Sequence, residues 1–116
     1  MTIQRIHKND RMSQIVIHGD TIYLSGQVAS GAPGGTVTEQ TRDILSRIEG
    51  YLIEAGSNKS KLLSATLWLT DMANFAEMNT VWDAWVASGE PPCRACVESK
   101  LANSKYDVEI MVIAAK

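Results

Sequence analysis

The stretch from Val108 to Ala115 constrains the fold more than any other part of this chain. Val108, Ile110, Val112 and Ala114 alternate with Glu109, Met111, Ile113 and Ala115, and in a strand those two sets point to opposite faces. Both faces are mostly apolar, and such a strand is stable only where each side is covered. The rest of the 116 residues supplies two helices, enough for one face of a sheet this size. The other face needs a further cover, and its simplest source is a second copy of the chain, so a homo-oligomer is expected.

The remaining elements follow from local patterning. Ser13 to His18 and Thr21 to Ser25 are β-branched segments joined by Gly19-Asp20, a pair suited to the φ > 0 positions of a tight hairpin. An earlier strand is expected at about Thr2 to His7. Gly31 to Gly35 is a connector too short to separate domains. Thr36 and Glu39 then have capping-box spacing, and Ile44, Leu45, Ile48, Leu52 and Ala55 recur at helical intervals up to Gly56. Leu63 to Thr70 alternates as a strand. A second helix runs from about Asn74 to Ala87, its stripe of Phe75, Met78, Trp82 and Trp85 facing the core, and Gly89 and Pro91-Pro92 stop it. Arg94 to Ser99 and Tyr106 to Ala115 read as two closing strands. The expectation is one α+β domain over residues 1–116, a mixed sheet of about six strands with both helices on one face.

Composition narrows the function. Eleven Lys and Arg against thirteen Asp and Glu give a net charge of -2, with no basic block to neutralise a run of phosphates, so neither nucleic acid nor an anionic membrane surface is an expected partner. The longest apolar run is Ile110 to Ala115, far short of the roughly 20 residues of a membrane span, and no secretory h-region precedes the first charges. A reducing, cytoplasmic setting is expected, with both cysteines as thiols. Cys93-Arg94-Ala95-Cys96 is formally a C-x-x-C, but on a strand positions three apart face opposite ways, so the pair does not close. A zinc site would need further ligands, and only His7 and His18 remain besides carboxylates, so no metal is expected. No P-loop follows Gly31 to Gly35, and no cofactor is expected.

Glu109 is the chemical anomaly, a carboxylate within a strand built for burial. With the closing strands paired as an antiparallel hairpin around residues 100 to 105, one register sets Cys96 opposite Glu109, with Arg94 and Met111 on the same face. Arg94, Cys96 and Glu109 then share a wall, either as a reactive site or as a structural Arg-Glu pair sealing an oligomer interface. Ser25-Gly26-Gln27 ends a hairpin strand, where it is either a close-approach site for a ligand or simply a bulge. Asn79 sits among apolar neighbours on the second helix and calls for a hydrogen-bond partner.

Ser25-Gly26-Gln27, Phe75-Ala-Glu-Met-Asn79, Pro92-Cys-Arg94-Ala-Cys96-Val97 and Val108-Glu109-Ile110 together resemble the Rid (YjgF/YER057c-type) family of enamine and imine deaminases, in the family's order and over nearly the whole chain. The resemblance implies a chorismate-mutase-like fold and a homotrimer with three sites in clefts between subunits. It implies hydrolysis of 2-imino acids, the tautomers of enamines released by dehydratases, to 2-keto acids and ammonia. In that chemistry Arg94 is expected to bind the substrate carboxylate as a fork, and Glu109 to orient or activate water and relay its proton. Cys96, Ser25, Gly26, Asn79 and Met12 are expected to line the pocket. Met12 stands where many members carry a tyrosine, which implies a sister subgroup favouring longer apolar side chains over the smallest imines. The alternative is a noncatalytic trimer that binds a small carboxylate and regulates other proteins. Chorismate mutation is disfavoured, because a dicarboxylate usually needs several cations and Arg94 is the only one the sequence places in the cleft.

Overall fold

The structure is a computed structural model that describes residues 1–116. Its strands are Ile3–Lys8 (β1), Ser13–His18 (β2), Thr21–Leu24 (β3), Gln27–Val28 (β4), Leu62–Leu69 (β5), Cys93–Glu98 (β6) and Val108–Ala115 (β7), and its helices are Val37–Glu54 (α1) and Phe75–Trp85 (α2). The strands form one mixed sheet in the order β1-β2-β3-β7-β5-β6, with β4 also pairing with β7. This is the expected α+β arrangement, with a short seventh strand added.

Local chemistry places the elements. Gly19 takes φ +61° in the β2–β3 turn, which a Cβ would strain. Thr36 caps α1, its Oγ1 accepting from Glu39 N at 3.1 Å while Thr36 N donates to Glu39 Oε1 at 2.9 Å. The Thr36 backbone N–H also holds the Glu39 carboxyl below the usual range. Ile15, Ile22, Ile44, Ile48, Leu67 and Ile110 are fully buried between helices and sheet.

The closing strands do not form a hairpin. β5 lies between them, parallel to β6 and antiparallel to β7. The sequences differ in what they can bury: β7 and β5 are largely apolar runs and occupy the centre, whereas β6, Cys-Arg-Ala-Cys-Val-Glu with two charges in six residues, takes the edge. Cys96 therefore pairs with Leu67 and Arg94 with Ala65, while Glu109 pairs with Trp68. The predicted wall of Arg94, Cys96, Glu109 and Met111 is not formed within one chain.

The helices cover the face carrying Ala65, Leu67, Ile110 and Val112. The opposite face carries Tyr23, Val97 and Met111, exposed to 44%, 46% and 36%. That apolar surface is the uncovered side anticipated from β7.

Between β3 and β4 the register against β7 slips by one residue, Tyr23 pairing with Ile113 but Gln27 with Ile110. The extra residue is a bulge at Ser25-Gly26. At the other end of β7 a polar clamp fixes its start. Gln40, fully buried on α1, donates from Nε2 to Gly35 O at 2.8 Å and accepts at Oε1 from Asp107 N at 2.8 Å. Thr70 Oγ1 donates to Asp107 Oδ1 at 2.7 Å. Gln40→Leu strands a backbone donor and a backbone acceptor, and is expected to cost about 2 kcal/mol in denaturant unfolding at fixed protein concentration. A loss below about 0.5 kcal/mol would show that water replaces the clamp.

Candidate active site

Arg94 lies on the helix-covered side of β6, where α2 receives it. Its Nη1 donates to Asn79 Oδ1 at 2.8 Å, and its guanidinium carbon stands 5.8 Å from the Phe75 ring centre and 5.4 Å from that of Trp82. Phe75, Asn79 and Trp82 are at i, i+4 and i+7 on α2, so one helix stripe supplies two rings and one amide to a single cation. Cation–π contacts of this kind are worth roughly 0.5–2 kcal/mol each. The guanidinium is thus held in orientation, with its remaining N–H groups free for a carboxylate fork. Asn79 touches the arginine, which is the hydrogen bond its apolar setting required. The stripe was legible as core; its use as an arginine seat was not, although the i, i+4, i+7 spacing around Asn79 carries that signal.

Cys96 is on the same face as Arg94 and half-buried. Burial pushes its thiol pKa up, against the smaller opposing pull of Arg94, so at neutral pH it is a neutral thiol rather than a nucleophilic thiolate. Cys93 and Cys96 are both free and, three apart on one strand, face opposite ways.

Glu109 is on the other side of the sheet, paired with Trp68 on β5 and Val28 on β4. Its side chain lies against Gly26, where an added methyl group would overlap Oε2. Glycine at the bulge is what allows the carboxylate that position. Burial raises the Glu109 pKa, with no cation to offset it. Ser25 braces the bulge: its Oγ donates to Ser13 O at 2.6 Å, and its N–H to Gln14 O at 3.0 Å. Met12 adjoins Ser13 in the β1–β2 turn, where its N–H donates to Asn9 Oδ1 at 2.9 Å. It is 38% exposed.

Six of the seven predicted residues therefore separate into two half-sites on opposite faces of one sheet. Arg94, Cys96 and Asn79 form the first; Glu109 and Gly26 form the second, with Ser25 bracing its bulge against β2, while Met12 lies in the β1–β2 turn and is joined by no contact to either. No cleft of the single chain contains Arg94 or Glu109.

A mixed sheet with two helices on one face and an apolar surface on the other defines the class of this protein. Residues 2–116 match the family model described as Endoribonuclease L-PSP. The chain is 44% identical over 115 residues to the RutC family protein YoaB of Escherichia coli, covering 99% of each, and 44% identical over 114 residues to a RutC family protein of Haemophilus influenzae, covering 98% of each. Its fold superposes on the crystal structure of NMB1025, a YjgF family protein from Neisseria meningitidis, with a TM-score of 0.96 at 45% identity, covering 100% of this chain and 96% of that one. The chain belongs to the YjgF/Rid family.

Replacing Glu109 by glutamine tests its environment without reference to activity. A carboxyl whose pKa is raised on folding destabilises the fold once it ionises. The penalty is absent below the unfolded glutamate pKa, grows as pH rises towards the folded pKa, and is constant above it. Glu109→Gln is therefore expected to unfold at a higher temperature than wild type at pH 8, with the gap closing towards pH 4. A gap independent of pH would contradict a desolvated carboxylate.

Proposed function

We propose that the chain assembles as a homotrimer in which the Arg94 half-site of one copy faces the Glu109 half-site of the next, and that this composite cleft hydrolyses 2-imino acids to 2-keto acids and ammonia. The observation that carries the reading is the placement of Arg94 and Glu109 on opposite faces of one sheet. Each half-site has unused capacity, a seated guanidinium with free N–H groups and a desolvated carboxylate without a partner. The apolar surface of Tyr23, Val97 and Met111 is the area a second copy would cover.

In such a cleft Arg94 binds the substrate carboxylate as a planar fork and holds the C=N carbon in place. Water attacks the protonated imine at that carbon and gives one proton to the Glu109 carboxylate, forming a 2-amino-2-hydroxy acid. Its nitrogen takes that proton back, the C–N bond breaks, and the hydroxyl proton passes through Glu109 to the departing ammonia, which leaves as ammonium while the carbonyl forms. One water is consumed and no other reactant is needed. A carboxyl whose pKa is raised above the ordinary glutamate value holds and returns a proton more readily than a free one. The imine carbon is already electrophilic, so the chemistry does not call on the Cys96 thiol. An RNA substrate, which the description of the family model suggests for some members, fits poorly with a net charge of -2.

The test is to generate 2-iminopropionate from alanine with an amino-acid oxidase and follow its disappearance against semicarbazide trapping. Wild type is expected to accelerate it. Arg94→Ala is expected to lower kcat/KM by about ten- to a hundredfold, with partial recovery in Arg94→Lys, because an ammonium lacks the fork. Light scattering is expected to give three times the 12.7 kDa chain mass for wild type and variant alike. Unchanged turnover in Arg94→Ala would remove the carboxylate-anchor role, and a monomer mass would remove the composite site.

A further inference from the structure

Glu109 has an aromatic neighbour with no role in the chemistry proposed for it. In the β5–β7 ladder Trp68 stands directly opposite Glu109, and in the β5–β6 ladder it stands opposite Val97. Val28 on β4 is the partner of Glu109 on its other side. Directly paired residues project to the same face, so Val28, Glu109, Trp68 and Val97 form one row across the uncovered side of the sheet. Alternation along β5 agrees, because Leu67 and Leu69 are fully buried against the helices and Trp68 between them is half-buried on the opposite face.

The row gives the carboxyl a wall on each side. Towards β4 the Glu109 side chain lies against Gly26, in space that a Cβ would fill. Towards β5 stands the indole, its Cβ at the roughly 4.5–5.5 Å spacing of a direct cross-strand pair. None of the side chains in these walls is charged: β4 presents Val28, the bulge Ser25 and Gly26, β5 Trp68, and β6 Val97 beyond it. The neighbouring rung on this face is Thr66 with Met111, and Tyr23 stands further along, opposite Ile113. Asp107, just before β7, has its carboxylate engaged by Thr70 Oγ1 at 2.7 Å and Gln40 Nε2 at 3.5 Å. Glu98 falls on the helix-covered side of β6 and accepts from Met72 N at 2.9 Å. Burial is the cause of the raised Glu109 pKa, and Trp68 is the largest side chain paired with it.

We infer that Trp68 is a positioning residue for Glu109: its indole and the Gly26 bulge hold the carboxyl in one orientation and limit its access to bulk water, so that it exchanges protons with the water at the substrate. The inference rests on the imine-hydrolase reading for the reaction it serves, whereas the wall is a property of the fold. A smaller side chain at position 68 admits water to the carboxylate, which lowers its pKa and makes it a weaker and less directed base.

The test replaces Trp68 by phenylalanine, leucine and threonine and reads two quantities. The first is free of turnover: the gap in unfolding temperature between each background and the same background carrying Glu109→Gln, at pH 4 and pH 8. The widening of that gap towards pH 8 is expected to persist in Trp68→Phe and to shrink by at least about half in Trp68→Thr. The second is the pH profile for 2-iminopropionate, corrected for uncatalysed decay. In Trp68→Thr the limb on which the rate rises as Glu109 ionises is expected to move down by at least about 0.5 pH unit, kcat to fall at least about fivefold and KM to stay within about twofold, with Trp68→Phe close to wild type. Should Trp68→Thr fail to fold, Trp68→Leu is expected to show the same changes in the same direction. Variants that unfold at a lower temperature at every pH with an unchanged gap, or that keep the wild-type limb, would make Trp68 a packing residue and overturn the inference. If no imine is hydrolysed but the gap depends on Trp68, the wall stands and the hydrolase reading falls.

Discussion

The fold depends on burying β7 on both of its faces. One face is buried within the chain, because α1 and α2 lie over Ile110 and Val112. The other is not, and Met111 remains 36% exposed beside Tyr23 on the neighbouring strands. A single chain of this length has no third layer to place there. The same strand carries Glu109 on the uncovered side, so a carboxyl whose pKa burial raises lies where a second copy is required. Assembly and chemistry are in that sense one problem: whatever covers the apolar surface also closes over the carboxylate.

The sheet separates two functions that a reactive site must combine. On one side, Phe75, Asn79 and Trp82 hold a cation at the edge strand, where its free N–H groups face outward. On the other, a bulge and a glycine make room for a carboxylate whose pKa burial raises. If both lay on one face of one chain, they would neutralise each other as a salt bridge, and neither would be available to a substrate. Separation by the thickness of the sheet leaves each unpaired until an assembly brings them together, and the proposed mechanism rests on that arrangement.

Much of this was legible in the amino-acid sequence, and for physical reasons. The capping box at Thr36 and Glu39, the Gly19-Asp20 turn and the alternation of Leu63 to Thr70 are local signals, each satisfied within a few residues. Arg94 and Glu109 stood out because charge on a strand demands explanation. What failed was the pairing of β6, since strand order is decided by which segments compete best for the centre of the sheet, and that competition is not local. Assuming that consecutive strands pair put Cys96 opposite Glu109, whereas β5 intervenes.

The central claim, that the site is shared between copies, has a direct test in mixing two inactive variants. Arg94→Ala retains an intact Glu109 half-site, and Glu109→Gln retains an intact Arg94 half-site. After co-refolding equal amounts, a head-to-tail ring of subunits regains roughly a quarter of its clefts with both wild-type groups. The account predicts imine hydrolysis at about that fraction of the wild-type rate, from a mixture whose components are each nearly inactive. A mixture that shows no more activity than its parts, while light scattering demonstrates exchanged oligomers, would contradict it.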